Sequence, residues 1–120
     1  SSRFVERKTK LMEALNRINN FEEWLNLKVT YFTYHSFTFK IELRRNLSVE
    51  INSSYRYDGE NLEFEDFYVT LEDGTEIFPT TEAIQHLQTK AQEKLFELYF
   101  HEIERDYYAN LVEDENEHEW

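Results

Sequence analysis

From Lys28 to Ile77 the apolar residues recur mostly at every second position, and on both sides of that stretch they recur about every 3.6 residues. Alternation sends side chains to the two faces of a strand, whereas the longer period lines one stripe of a helix. The chain is therefore expected to fold as helix, sheet, helix. Within the sheet region Val29, Tyr31 and Thr33 alternate with Thr30, Phe32 and Tyr34, and Phe37, Phe39, Ile41 and Leu43 alternate with Thr38, Lys40, Glu42 and Arg44. The apolar parity runs straight through His35 and Ser36, a poor turn signal. Lys28 to Leu43 thus reads as one bent strand, or as two joined by a bulge or short turn. Arg44, Arg45 and Asn46 look like a tight connection into a strand of Leu47, Val49 and Ile51 that Tyr55 and Tyr57 continue. Asp58, Gly59, Glu60 and Asn61 make the next turn, and Leu62 to Leu71 the next strand. In that strand Leu62 and Phe64 share one parity while Phe67, Val69 and Leu71 share the other, so an irregularity is expected near Glu65 and Asp66. Asp73 and Gly74 give the strongest hairpin signal, leading into a short strand through Ile77 and Phe78 that Pro79 ends.

The first helix is expected from about Arg3 to Asn19, with Phe4, Leu11, Leu15 and Ile18 on one stripe and Met12 beside it. Asn20 and Glu23 have the form of a cap and its partner, so Phe21 to Leu25 reads as a short second helix, with Trp24 and Leu25 closing over the core. Thr80 or Thr81 caps a long helix reaching about Tyr108. Ile84, Leu87, Ala91, Leu95 and Leu98 form one of its stripes, and Phe96, Phe100, Ile103 and Tyr107 a neighbouring one. Phe37, Phe39, Phe64, Phe96 and Phe100 are expected inside, and Tyr55, Tyr57, Tyr68, Tyr107 and Tyr108 partly exposed. Every inter-strand connection is too short for a parallel crossover. The fold class is therefore α+β: an N-terminal helix, an antiparallel meander of four or five strands, and a long C-terminal helix packed on one face of the sheet. One such domain should occupy residues 1–112, with an acidic tail over 113–120 that frays.

The absence of cysteine excludes disulfides and thiolate metal sites and fits a reducing compartment. There is no run of about 18 apolar residues, and Ser1 to Lys10 lack the apolar stretch of a secretory signal. A cytoplasmic location without membrane contact is expected.

Catalytic motifs are hard to find. His101-Glu102-Ile103-Glu104-Arg105 begins like a zinc-protease helix, but Arg105 stands where the second histidine ligand belongs. His35, His86 and His118 have no ligand-like spacing, and the acidic run from Asp58 to Asp66 lacks the central glycine and terminal glutamate of a calcium loop. Two glycines cannot build a phosphate-binding or dinucleotide loop, and no serine sits in a nucleophile elbow. No enzyme, metal or cofactor is expected.

Charge is the more informative signal. The chain carries 25 acidic and 13 basic residues, for a net charge of -12. The acid is uneven: Asp58 to Glu76 holds eight acidic residues and no basic one, interleaved with Phe64, Phe67 and Tyr68. Glu102 to Trp120 holds eight more with only Arg105 against them, beside Tyr107, Tyr108 and Trp120. Such a surface repels phosphates, so direct nucleic-acid binding is not expected. It suits a basic protein surface, often itself a nucleic-acid-binding site, because aromatic anchors within a polar rim favour protein interfaces. The expected contact residues are Asp58, Glu60, Glu63, Glu65, Asp66, Tyr68, Glu72 and Asp73, with Glu102 and Asp106 as a flank. Small, acidic, motif-poor chains of this composition are similar to phage-encoded inhibitors of CRISPR or restriction enzymes and to nuclease immunity proteins. The alternative is an assembly subunit whose aromatic surface is an oligomer interface and whose charge only confers solubility.

Overall fold

The computed structural model describes the backbone of residues 2–20, 26–43 and 47–118, and side chains from residue 5 to residue 111 within those ranges. The expected helix at Phe21 to Leu25 and the connection at Arg44 to Asn46 lie outside the described residues, as does the side chain of Phe4. Helix α1 (Ser2–Asn20) leads into an antiparallel sheet of β1 (Asn26–Phe32), β2 (Ser36–Leu43), β3 (Leu47–Tyr57), β4 (Leu62–Leu71) and β5 (Glu76–Ile77), followed by α2 (Thr81–His118). The strands pair in chain order, so the sheet is a meander.

Both helices contribute to one core. Ala14 and Ile18 of α1 and Ala83, Leu87, Ala91, Leu95 and Ile103 of α2 cluster with Phe37, Phe39, Ile41, Val49, Ile51, Leu62 and Val69 of the sheet. Phe37 is the aromatic hub, its ring centroid 4.8 Å from Phe39, 5.7 Å from Phe64 and 5.9 Å from Tyr55. No described element covers the other face, where Lys28, Tyr31, Glu42, Arg56, Glu63, Glu65 and Tyr68 are exposed. Among the described residues no helix is long and apolar enough to cross a membrane.

Lys28 to Leu43 forms two strands. The turn between them relies on a side chain: Thr33 Oγ1 accepts hydrogen bonds from the backbone N–H of His35 (3.2 Å) and of Ser36 (3.0 Å), and Thr33 N–H donates to Ser36 O at 2.8 Å. The parity does not run straight through. A register shift between Val29 and Tyr31 turns Tyr31 outward, 56% exposed, and packs Phe32 on the core.

Thr80 is the N-cap of α2, its Oγ1 accepting from Ala83 N–H at 3.2 Å, and its own N–H donates to Asn19 Oδ1 at 3.0 Å, tying the two helices together. Gln92 anchors the helix to the β3–β4 turn by accepting from Leu62 N–H (2.8 Å) and donating to Asn61 Oδ1 (3.1 Å). The helix runs past Tyr108 to His118 and breaks its geometry at Tyr99, whose φ of -133° and ψ of 17° are not helical. That residue lays its ring flat on Phe32, with centroids 3.9 Å apart and planes within 5°. After the kink the buried stripe continues through Ile103. Phe100, expected inside, is therefore 36% exposed, and Leu98 is 46% exposed. Phe64 and Phe96 are half-buried at the rim of the core.

Tyr55 departs from expectation in the other direction: it is only 6% exposed. Its hydroxyl donates to Thr33 O at 2.6 Å, so the ring can be buried without stranding a polar group. Burial, reinforced by the nearby Asp106 carboxylate and Tyr34, raises its pKa above the ordinary tyrosine value. A raised folded pKa stabilises the fold fully below the unfolded value, about 10, and that contribution is lost as pH climbs toward the folded value. Ultraviolet titration should find at least one of the eight tyrosines still protonated when the exposed ones have ionised. Tyr55→Phe should remove that resistant phase and cost about 1 kcal/mol in urea unfolding.

Candidate protein-binding surface

Strand β4 carries the densest part of the expected surface, and its local geometry explains how the surface is assembled. Glu63 and Glu65 point away from the core, opposite Arg56 and Ser54 of β3. Strict alternation would then turn Tyr68 inward. Instead the register shifts between Asn52 and Ser54, and Asp66 adopts a φ of 54° as the extra residue of a bulge. Asp tolerates this left-handed conformation better than a branched residue would. Buried Ser53 faces the bulge, and its one hydroxyl proton lies within donating distance of Ser54 O (2.8 Å) and Glu65 O (3.1 Å), so the buried hydroxyl finds a backbone acceptor there. Beyond the bulge Phe67 and Val69 face the core, and Tyr68 emerges on the outer face, 48% exposed.

Tyr68 ends a row that crosses four strands in register: Tyr31, Thr38, Asn52, Tyr68. Thr38 Oγ1 donates to Asn52 Oδ1 at 2.8 Å in the middle of the row, and an exposed tyrosine stands at each end. The residues of this row other than Tyr68 had no signal beyond ordinary strand alternation.

The acidic residues divide into two groups. Asp58 and Glu60 lie in the β3–β4 turn beside Glu63, Glu65 and Asp66, and all five are exposed. Asp58 Oδ1 accepts from Glu60 N–H (2.8 Å) and Asn61 N–H (2.7 Å); these bonds, Asn61 first, hold its carboxyl below the usual carboxylate pKa. Arg56 is the local counter-ion, with Nη2 3.2 Å from Glu63 Oε2 and 3.8 Å from Glu65 Oε1. These pairs are exposed and screened, and one guanidinium among so many carboxylates leaves the strip negative. Sequence reading missed Arg56 as a counter-ion, although it is the only basic residue between Arg45 and Lys90.

Glu72 and Asp73 belong to the other end of β4, roughly 30 Å from Glu63 at about 3.3 Å per strand residue. Their charges are engaged locally. Glu72 Oε1 is 3.4 Å from Lys40 Nζ, and Asp73 Oδ1 accepts from Thr75 N–H at 2.9 Å with the Arg7 charge nearby. They do not share a patch with Glu63 and Glu65.

The flank on α2 partly joins the first group. Past the Tyr99 kink, Asp106 faces a cleft of about 440 Å³ that also borders Glu65 and Arg56, while Glu102 is exposed one helical turn earlier. Tyr34 of the β1–β2 turn, Tyr107 of α2 and the buried Tyr55 also line this cleft. Tyr107 packs edge-on to Tyr57 at 5.3 Å and reaches Gly59, whose φ of 99° strains any other residue and where a Cβ would sit 3.0 Å from the Tyr107 hydroxyl. Neither cleft carboxylate is buried, Glu65 being exposed and Asp106 half-buried. Among the described residues no three His, Asp or Glu side chains are grouped to hold a metal ion, and His101 lies exposed on α2 against the edge of Phe100. No family model, curated protein or solved structure matches the chain.

The bulge account predicts opposite outcomes for two substitutions. Asp66→Gly should leave stability within about 0.5 kcal/mol or raise it, because glycine takes a positive φ freely. Asp66→Val should destabilise by about 1–3 kcal/mol, because a branched side chain is strained there. Urea unfolding of the pair is the check; equal stabilities would contradict the geometry.

Proposed function

We propose that this protein is a non-catalytic binding module that covers a basic site on a partner protein with the acidic outer strip of β4. A partner whose basic site otherwise binds nucleic acid fits best, as in phage-type inhibitors of CRISPR or restriction enzymes or in nuclease immunity proteins. The observation that carries this reading is the bulge at Asp66, which puts Tyr68 on the same exposed face as Glu63 and Glu65. An aromatic anchor beside carboxylates, on a sheet face that no described element covers, has the composition of an interface core with a charged rim. Carboxylates there offer a basic groove the charge that phosphate would offer it.

A second reading, an assembly subunit, draws on the half of α2 beyond the kink, where Phe100, Tyr108 and Leu111 are 36%, 56% and 40% exposed. Solution mass separates the two, since a stable homo-oligomer favours assembly.

The test is charge reversal of Glu63, Glu65 and Asp66 to lysine together, measured against the partner recovered from the native host. Binding should weaken at least tenfold, with association slowing steeply as salt rises, because screening shortens to about 8 Å at physiological ionic strength and about 3 Å at 1 M. The fold should survive: Glu63 and Glu65 are exposed positions where substitution usually costs within about 0.5 kcal/mol, and lysine at the positive φ of Asp66 should add about 1–2 kcal/mol, which urea unfolding of the variant checks. Binding indifferent to both salt and the triple reversal would overturn the proposal.

A further inference from the structure

Strands β3 and β4 overhang the rest of the sheet, because β2 begins at Ser36 opposite Ser54 and leaves Arg56 and Tyr57 without a partner strand on that side. The space beside this overhang is the cleft of about 440 Å³, closed on one side by the β1–β2 turn and on the other by α2 beyond its kink. Its walls are aromatic: Tyr34 from the turn, Tyr57 from the overhang and Tyr107 from the helix. Its charge is carried by Asp106 and Glu65 against Arg56. Arg56 is held by Glu63 and Glu65, and Asp106 has no ion-pair partner among the described residues. Asp58, whose backbone carbonyl lies 3.5 Å from the hydroxyl of the lining Tyr107, adds negative charge nearby.

We infer that this cleft is a receptor for one arginine side chain of the basic partner, the guanidinium stacking between tyrosine faces and pairing with Asp106. The inference rests on the proposed function and deepens it by naming the residue that anchors the partner. Tyrosine faces attract a cation within about 6 Å of the ring, and a carboxylate accepts two parallel N–H bonds from a guanidinium. A lysine ammonium is a more strongly hydrated point charge and lacks the planar fork, so arginine is preferred. The cleft adjoins the β4 strip through Glu65, so a partner lying on the strip can place a side chain here without leaving it.

The partner is not needed for the test. N-acetyl-arginine methylamide is titrated into the full chain at constant ionic strength, with the lysine and neutral citrulline analogues alongside, and the ring signals of the tyrosines are followed by NMR. The arginine analogue should shift the Tyr34 and Tyr107 rings saturably, the lysine analogue should bind at least threefold more weakly, and citrulline should leave them unmoved. Asp106→Asn should weaken arginine binding at least fivefold, and Tyr34→Leu should do the same while both variants melt close to the parent. Citrulline matching arginine, lysine binding as tightly as arginine, shifts confined to Tyr31 and Tyr68, or an unchanged affinity in folded Asp106→Asn would each overturn the inference. Asp106 lies outside the β4 strip while Glu65 borders both, so reversal of Glu63 and Asp66 alone, which spares the cleft lining, keeps the two results apart. Arginine binding in the cleft with a partner indifferent to the reversal would fail the strip reading alone.

Discussion

Every long strand of this sheet must send its apolar side chains to the one face that α1 and α2 cover, and two one-residue register shifts make that possible. In β1 the shift after Val29 brings Phe32 into the core, where Tyr99 stacks on it. In β4 the bulge at Asp66 lets Leu62 and Phe64 on one parity share a face with Phe67, Val69 and Leu71 on the other. Each shift has a second effect on the opposite face, since moving an apolar residue inward moves its neighbour outward. Tyr31 and Tyr68 are those neighbours. The demands of the core thus place the two tyrosines that end the outer-face row.

The same arrangement separates charge along the molecule. The carboxylates of the β3–β4 turn gather at one end of the sheet, with Arg56 as their counter-ion. At the other end Arg7, Lys8 and Lys10 of α1 outnumber Glu6 and Asp73 in the lining of a second cleft, and Lys40 engages Glu72. In the function proposed above, charge distributed in this way would present one end to a basic partner before contact, so that electrostatics orients the encounter as well as holding the complex.

How much of this was legible depended on whether the signal was local. The irregularity at Glu65 and Asp66 could be read because β4 has apolar residues on opposite parities at its two ends. The shift in β1 could not, because Val29 and Tyr31 on one parity compete with Phe32 on the other and either reading looks apolar. The turn at Thr33 to His35 was faint because its geometry comes from a threonine side chain instead of glycine or asparagine. Nothing local marks Tyr99 as a kink; its stack on Phe32 is a tertiary contact, and the exposure of Phe100 follows from it. At the surface, composition located the acidic stretch, but it could not tell that strand length separates Glu72 and Asp73 from Glu63. Nor could it bring Tyr34 and Asp106 to one cleft from opposite parts of the chain.

In the proposed function the uncovered face of the sheet, with the acidic end of β4, is the working surface. Hydroxyl-radical footprinting of the protein, free and in complex with the partner recovered from its host, reads that claim side chain by side chain. The account predicts that Tyr31 and Tyr68 react readily in the free protein and become protected in the complex, while Phe100, Tyr108 and Leu111 keep their reactivity. Protection confined to those three residues of α2, with Tyr31 and Tyr68 still reactive, would contradict it and place the interface on the helix.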